Sequence, residues 1–170
     1  MAQFLIFNGA MQTTAAPVAV TTGTVIKSML QVKASATKVL KVCEWGISFD
    51  GSAAAQPGKI ELIETDVAAT VTAAVAADIT KLDGDALMCG DPTTNLIQVG
   101  TTATGYTASG EGSITSVRNL DGPQFIPPTA DFSKQFPLGR EPLVQVAKFL
   151  RIRVTFVAAV NCYCWVRVEV

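Results

Sequence analysis

Along much of this chain apolar and polar residues alternate with period two, the spacing of strands that bury one face. The clearest run, 162–170, sets Cys162, Cys164, Val166, Val168 and Val170 against Tyr163, Trp165, Arg167 and Glu169. Just upstream, 149–157 sets Ile152, Val154 and Phe156 against Arg151, Arg153 and Thr155. Ala158-Ala159-Val160-Asn161 has the length of a hairpin loop joining the two. Arg151 and Arg153 share one strand face, a placement that suits carboxylates or solvent better than phosphate. In 38–50, Trp45, Ile47 and Phe49 oppose Glu44, Gly46, Ser48 and Asp50, and Asp50-Gly51 then begins a turn. Residues 24–32, 59–65 and 114–120 add shorter strands, with odd spacing between Ile114 and Val117 that marks a bulge. Between Asp66 and Leu82 the pattern is ambiguous: Val67, Val71 and Val75 recur every four residues, whereas Thr70-Val71-Thr72 favours a strand.

Seven or eight strands joined by Gly-, Pro- and Thr-rich turns predict an all-β antiparallel sandwich, jelly-roll-like, with its last strand inside a sheet. At 170 residues the chain is large enough to bury roughly 70% of its unfolded surface as one domain. Two segments stand apart. Residues 1–23 read as an extended N-terminal arm ahead of a domain spanning 24–170, since Asn8-Gly9, Pro17 and Gly23 interrupt them and no charge occurs before Lys27. Residues 122–142 carry Pro123, Pro127, Pro128, Pro137 and Pro142, which exclude them from a sheet centre. Their aromatic residues Phe125, Phe132 and Phe136 are either clamped on the core or held out for a neighbour.

The chain contains 0 histidines, which removes the commonest general base and metal ligand. No serine sits in a nucleophile-elbow sequence, and the pairs Glu61 with Glu64 and Asp83 with Asp85, whose closeness in sequence does not fix the separation glycoside hydrolysis needs, read as solvated turn acids. Asp83-Gly84-Asp85 lacks the remaining ligands of a calcium loop, and Gly110-Glu111-Gly112 lacks the third glycine of a dinucleotide fingerprint. Cys43, Cys89, Cys162 and Cys164 lack zinc-knuckle spacing and read as buried, reduced thiols. The expectation is a protein without enzymatic activity, cofactor or metal.

Charged residues make up 16% of the chain against about 25% in ordinary domains. With 13 basic and 14 acidic residues the net charge is −1, and no basic cluster matches a nucleic-acid backbone. Neither a signal peptide nor an apolar run long enough to span a membrane is present, so neither nucleic acid nor membrane is an expected partner. A small, neutral surface suits permanent contact with other proteins.

The run Thr104-Gly105-Tyr106-Thr107-Ala108-Ser109-Gly110-Glu111-Gly112, the segment Phe136-Pro137-Leu138-Gly139-Arg140-Glu141-Pro142, the closing strand pair, and the opening Asn8-Gly9-Ala10-Met11 with Thr21-Thr22-Gly23-Thr24 together resemble small virion structural proteins of tailed bacteriophages. The resemblance covers most of the chain. It implies a β-sandwich on the capsid exterior, assembled in the host cytoplasm, that binds the major capsid protein and cements the head, usually as a trimer. The expected partner-binding residues are Phe4, Leu5 and Phe7 on the arm, with Phe125, Phe132, Phe136 and Arg140 in the proline-rich segment. Removing residues 1–17 is then expected to weaken shell binding and spare the fold. The alternatives are a carbohydrate-binding module using Trp45, Trp165, Tyr106 or Tyr163 as platforms, and a single jelly-roll coat protein.

Overall fold

The computed structural model describes residues 2–11, 13–14, 16–51, 55–82 and 96–170. In chain order the strands are β1 (Gln3–Phe7), β2 (Val20–Thr21), β3 (Ile26–Ala34), β4 (Leu40–Asp50), β5 (Gly58–Thr65), β6 (Thr70–Ala73), β7 (Ile79–Lys81), β8 (Ile97–Gln98), β9 (Gly105–Gly110), β10 (Val117–Ile126), β11 (Asp131–Gln135), β12 (Leu143–Val144), β13 (Phe149–Thr155) and β14 (Asn161–Glu169). They form two antiparallel sheets packed face to face. The first runs β11-β4-β14-β1-β7, with β12 beside β4 and β2 beside β14; the second runs β10-β5-β13-β3-β9-β6, with β8 beside β3. Reduced to β1, β3, β4, β5, β10, β11, β13 and β14, the order is that of a jelly roll: the last strand lies between β1 and β4, and the penultimate one between β3 and β5.

The inward residues follow the period-two reading. Trp45, Ile47, Phe49, Cys162, Cys164, Val166 and Val168 from the first sheet meet Leu30, Val32, Ile60, Leu62, Leu150, Ile152 and Val154 from the second in one core. The run 66–82 resolves as the strands β6 and β7, with a short 3-10 turn at Ala76–Asp78 between them. The pairing of β10 with β5 is irregular after Asn119 and Asp121, further along than the expected bulge. The expected turn at Asp83-Gly84-Asp85, like Cys89, lies outside the described residues.

Two expectations are corrected. Strands β13 and β14 are not a hairpin, because they belong to opposite sheets and 156–160 carries the chain across the core. Each has one apolar face, and these faces meet each other instead of lying side by side. Nor does the domain begin at residue 24. Strand β1 lies between β14 and β7, with Phe4 opposite Val168 and Ile6 opposite Val166, and both Phe4 and Ile6 are buried. Where β1 leaves β14, the Asn8 side chain replaces the ladder: Cys164 N–H donates to Asn8 Oδ1 at 2.9 Å, and Asn8 Nδ2 donates to the Cys162 carbonyl at 3.3 Å. After an excursion, β2 resumes pairing opposite Asn161 and Cys162. An uncharged apolar run followed by Asn-Gly is here an interior strand and its exit.

The chain between β5 and β10 adds β7 to the edge of the first sheet and β8, β9 and β6 to the second. It also covers the outer face of β3 and β13 through a polar layer. Gln31 Nε2 donates to the Ala103 carbonyl at 2.6 Å, and Ala69 N–H donates to Gln31 Oε1 at 2.8 Å. Ser28 Oγ donates to Glu111 Oε2 at 2.7 Å, and the wholly buried Arg151 pairs with that oxygen at 3.1 Å. Arg153 pairs with Glu61 at 2.5 Å, so the two arginines do face carboxylates.

The loop before β10 is fixed by Asp66, whose carboxylate accepts from the Thr115 hydroxyl, the Ser116 N–H at 3.1 Å and the Thr115 N–H at 3.3 Å. These donors, the hydroxyl foremost, hold Asp66 at about 2. An unfolded Asp titrates near about 3.9, so the contribution is complete above that pH and is lost as pH falls through the folded value. Asp66→Ala is expected to flatten the acid limb of a stability-pH curve between these two values, measured by urea unfolding.

Burial pushes the Cys162 thiol up to about 12 and Cys164 also well above its usual value, while half-exposed Cys43 is raised mainly by partial burial. Alkylation of native protein at pH 8 is expected to modify Cys43 ahead of Cys162 and Cys164, which react only on unfolding, as peptide mapping would reveal.

Candidate functional site

Strands β10 and β11 end their respective sheets on the same side of the sandwich. Asp121 ties the two edges together: it accepts from Trp45 Nε1 at 2.9 Å and pairs with Lys134 at 2.7 Å. About half of the proline-rich segment is edge strand, with Pro123 in an edge where its missing N–H costs nothing. Its aromatic residues divide between the two expected fates. Phe132 packs on Trp45 with centroids 5.0 Å apart, and Phe136 packs on the core beneath Lys134. Phe125, on the outward face of β10, is 77% exposed.

Beyond β11, Phe136 N–H donates to the Cys43 carbonyl and Val42 N–H to the Pro142 carbonyl, which anchors both ends of a projecting loop. At its tip Arg140 N–H closes a turn onto the Pro137 carbonyl at 2.9 Å, with Gly139 at φ +81°. This turn leaves Leu138 92% exposed. Arg140 is exposed beside it and makes no ion pair among the described residues. The next residue, Glu141, pairs with Lys41 at 3.4 Å, and Lys41 also reaches Glu169 at 3.2 Å. The Glu169 hydrogen bond raises the Lys41 ammonium, while the Glu141 and Gly139 N–H groups and then Lys41 lower the Glu141 carboxyl. Because β11 runs back along the side that β10 climbs, Phe125 and Leu138 stand toward opposite ends of one braced edge.

The N-terminal candidates lie elsewhere. Phe4 is core, while Leu5 and Phe7 emerge on the outer face of the first sheet, opposite Arg167 and Trp165. A cleft of about 310 Å3 opens there, lined by Phe7, Asn8, Met11, Pro17 and Tyr163 among others. The structure thus gathers Phe125 and Arg140 on one side and Leu5 and Phe7 on another, and retires Phe4, Phe132 and Phe136 to packing. Leu138 was not among the expected site residues, although an apolar residue between Pro137 and Gly139 at a turn tip has nowhere to bury itself. Among the described residues no group of histidine, cysteine, aspartate or glutamate converges as a metal site, and no helix is long and apolar enough to cross a membrane.

Comparison of the chain with protein-family models, curated proteins and solved structures finds no match.

Proposed function

We propose that this chain is a virion structural protein that seats on assembled major capsid protein and cements the shell, as a trimer on the capsid exterior. The observation that carries the reading is the pair of solvent-facing apolar side chains, Leu138 and Phe125, on a hydrogen-bonded edge. Large exposed apolar groups on fixed backbone lose little conformational entropy when covered, which is the physical profile of interface anchors. Arg140 adds a guanidinium whose planar fork suits a carboxylate across the interface. The jelly-roll topology agrees with a shell role, since shells use it widely, though the fold alone does not assign a function. A cement protein that binds the assembled lattice and not free subunits stabilises by mass action over many equivalent sites.

The test is retention on particles. Phe125→Ser combined with Leu138→Ser is expected to cost about 2 kcal/mol or more per anchor, about thirtyfold in affinity each. Melting should change little, because neither side chain contributes to the core. Sedimentation of variant protein with particles lacking the native chain measures this, and unaltered co-sedimentation would reject the edge as the docking surface.

A further inference from the structure

The outer face of the first sheet is a different surface, and its centre is Trp165. Read across the strands, Phe7, Trp165, Gly46 and Ser133 form one register row. The indole lies over Gly46: a Cβ there would stand 2.7 Å from Trp165 Cε2 and Cζ2. Glycine is thus the residue that lets the ring settle onto the sheet. The flanking rows set Tyr163, Ser48 and Asp131 on one side and Arg167, Glu44 and Gln135 on the other. Adjacent strands lie about 4.8 Å apart and same-face neighbours along a strand about 6.6 Å apart, so hydroxyl, amide and carboxylate groups border the ring on both sides. Trp165 is half-buried, and its Nε1–H makes no hydrogen bond among the described residues. On the Phe7 side the surface continues into the cleft of about 310 Å3, at the small end of ligand pockets, which span about 300–1,000 Å3.

From this arrangement we infer a binding site for a neutral oligosaccharide of hexose or N-acetylhexosamine units. One sugar presents its C–H face to the Trp165 ring, and its hydroxyls exchange hydrogen bonds with Ser133 and with one flanking row, either Ser48 or Glu44 and Gln135. The next unit enters the cleft between Phe7 and Tyr163. An aromatic platform with a hydrogen-bonding rim matches a ligand that is itself apolar on its faces and polar at its edge. A nucleic acid would need cations, and the one arginine beside the ring is paired with Glu44 at 3.3 Å. The inference does not rest on the shell reading, which Leu138 and Phe125 on a different surface carry.

The experiment presents the intact chain to an array of neutral gluco-, galacto-, manno- and chito-oligosaccharides and titrates any that is retained while tryptophan emission is followed. Trp45 is fully buried, so a ligand-induced change reports Trp165. The expected result is retention of at least one of these sugars with altered emission, and affinity at least about tenfold weaker in Trp165→Ala. Gly46→Ala, which keeps the indole but pushes it off the sheet, is expected to weaken binding likewise. Circular dichroism checks that both variants fold. Retention of none of the sugars, or equal retention by folded Trp165→Ala, would overturn the site. Self-association of the wild-type chain abolished by Trp165→Ala would also overturn it, reassigning the face to a second copy.

Discussion

Deleting the first eight residues is expected to leave a chain that no longer unfolds cooperatively. Phe4 and Ile6 belong to the core, and truncating a buried Phe costs about 3–5 kcal/mol and a buried Ile about 2–5 kcal/mol. The deletion also removes the whole of β1, exposing the ladder edges of β14 and β7 that it joins. At its N-terminal end the mutual bonds between Ala2 and Val170, at 3.0 and 2.9 Å, go with it. Against a total stability of about 5–15 kcal/mol, these losses consume most or all of the margin. Thermal melting by circular dichroism is the measurement. A truncated chain that melted like the full one would mean that 3–7 is a dispensable arm after all.

Arg151→Ala is expected to be the most damaging single substitution in the second sheet. The guanidinium is completely buried, donates to the carbonyls of Glu111 and Val67, and pairs with the Glu111 carboxylate. Burial lowers its basicity while Glu111 raises it, and an arginine remains charged under either influence. Removing one partner from a buried pair costs about 3–5 kcal/mol, which for a chain of this size is a fall in melting temperature of about 6–20 °C. The damage should start locally, because Arg151 holds the chain that covers β3 and β13. Hydrogen exchange is expected to accelerate first in β6 and β9, ahead of β4 and β14. Arg151→Met, which fills the volume without a charge, is expected to recover part of the loss while Glu111 turns to solvent. A loss below about 1 kcal/mol for Arg151→Ala would show that the covering segment is held by its other contacts.

What could be read from the sequence was set by periodicity. Strand β4 declares its faces because Trp45, Ile47 and Phe49 alternate with Glu44, Gly46 and Ser48, and β14 because Cys162, Cys164, Val166 and Val168 alternate with side chains that carry a polar group, and the structure buries the expected set. The stretch from Phe4 to Phe7 does not alternate: Phe4 and Ile6 go inward, but Leu5 and Phe7 are apolar too, because they border Trp165 on the outer face. Such a run looks alike whether it is an interior strand or a sticky arm. Sheet membership is equally invisible to a period of two, which is why 158–161 resembled a hairpin loop while β13 and β14 lay in opposite layers. The partnership of Arg151 with Glu111 spans 40 positions and exists only once β9 lies beside β3. In the candidate site, exposure of Phe125 and burial of Phe132 depend on which face of which edge strand each occupies, a choice made by pairing with β5 and β4. Proline spacing placed both at sheet edges, and tertiary contact decided between them.

Counting the chain in purified particles tests most directly the proposed role as an abundant part of a virus shell. Quantitative mass spectrometry of particles from the source, referenced to the major capsid protein, is expected to find copies comparable in number to the coat. Its absence from particles that contain the coat in full would contradict the claim.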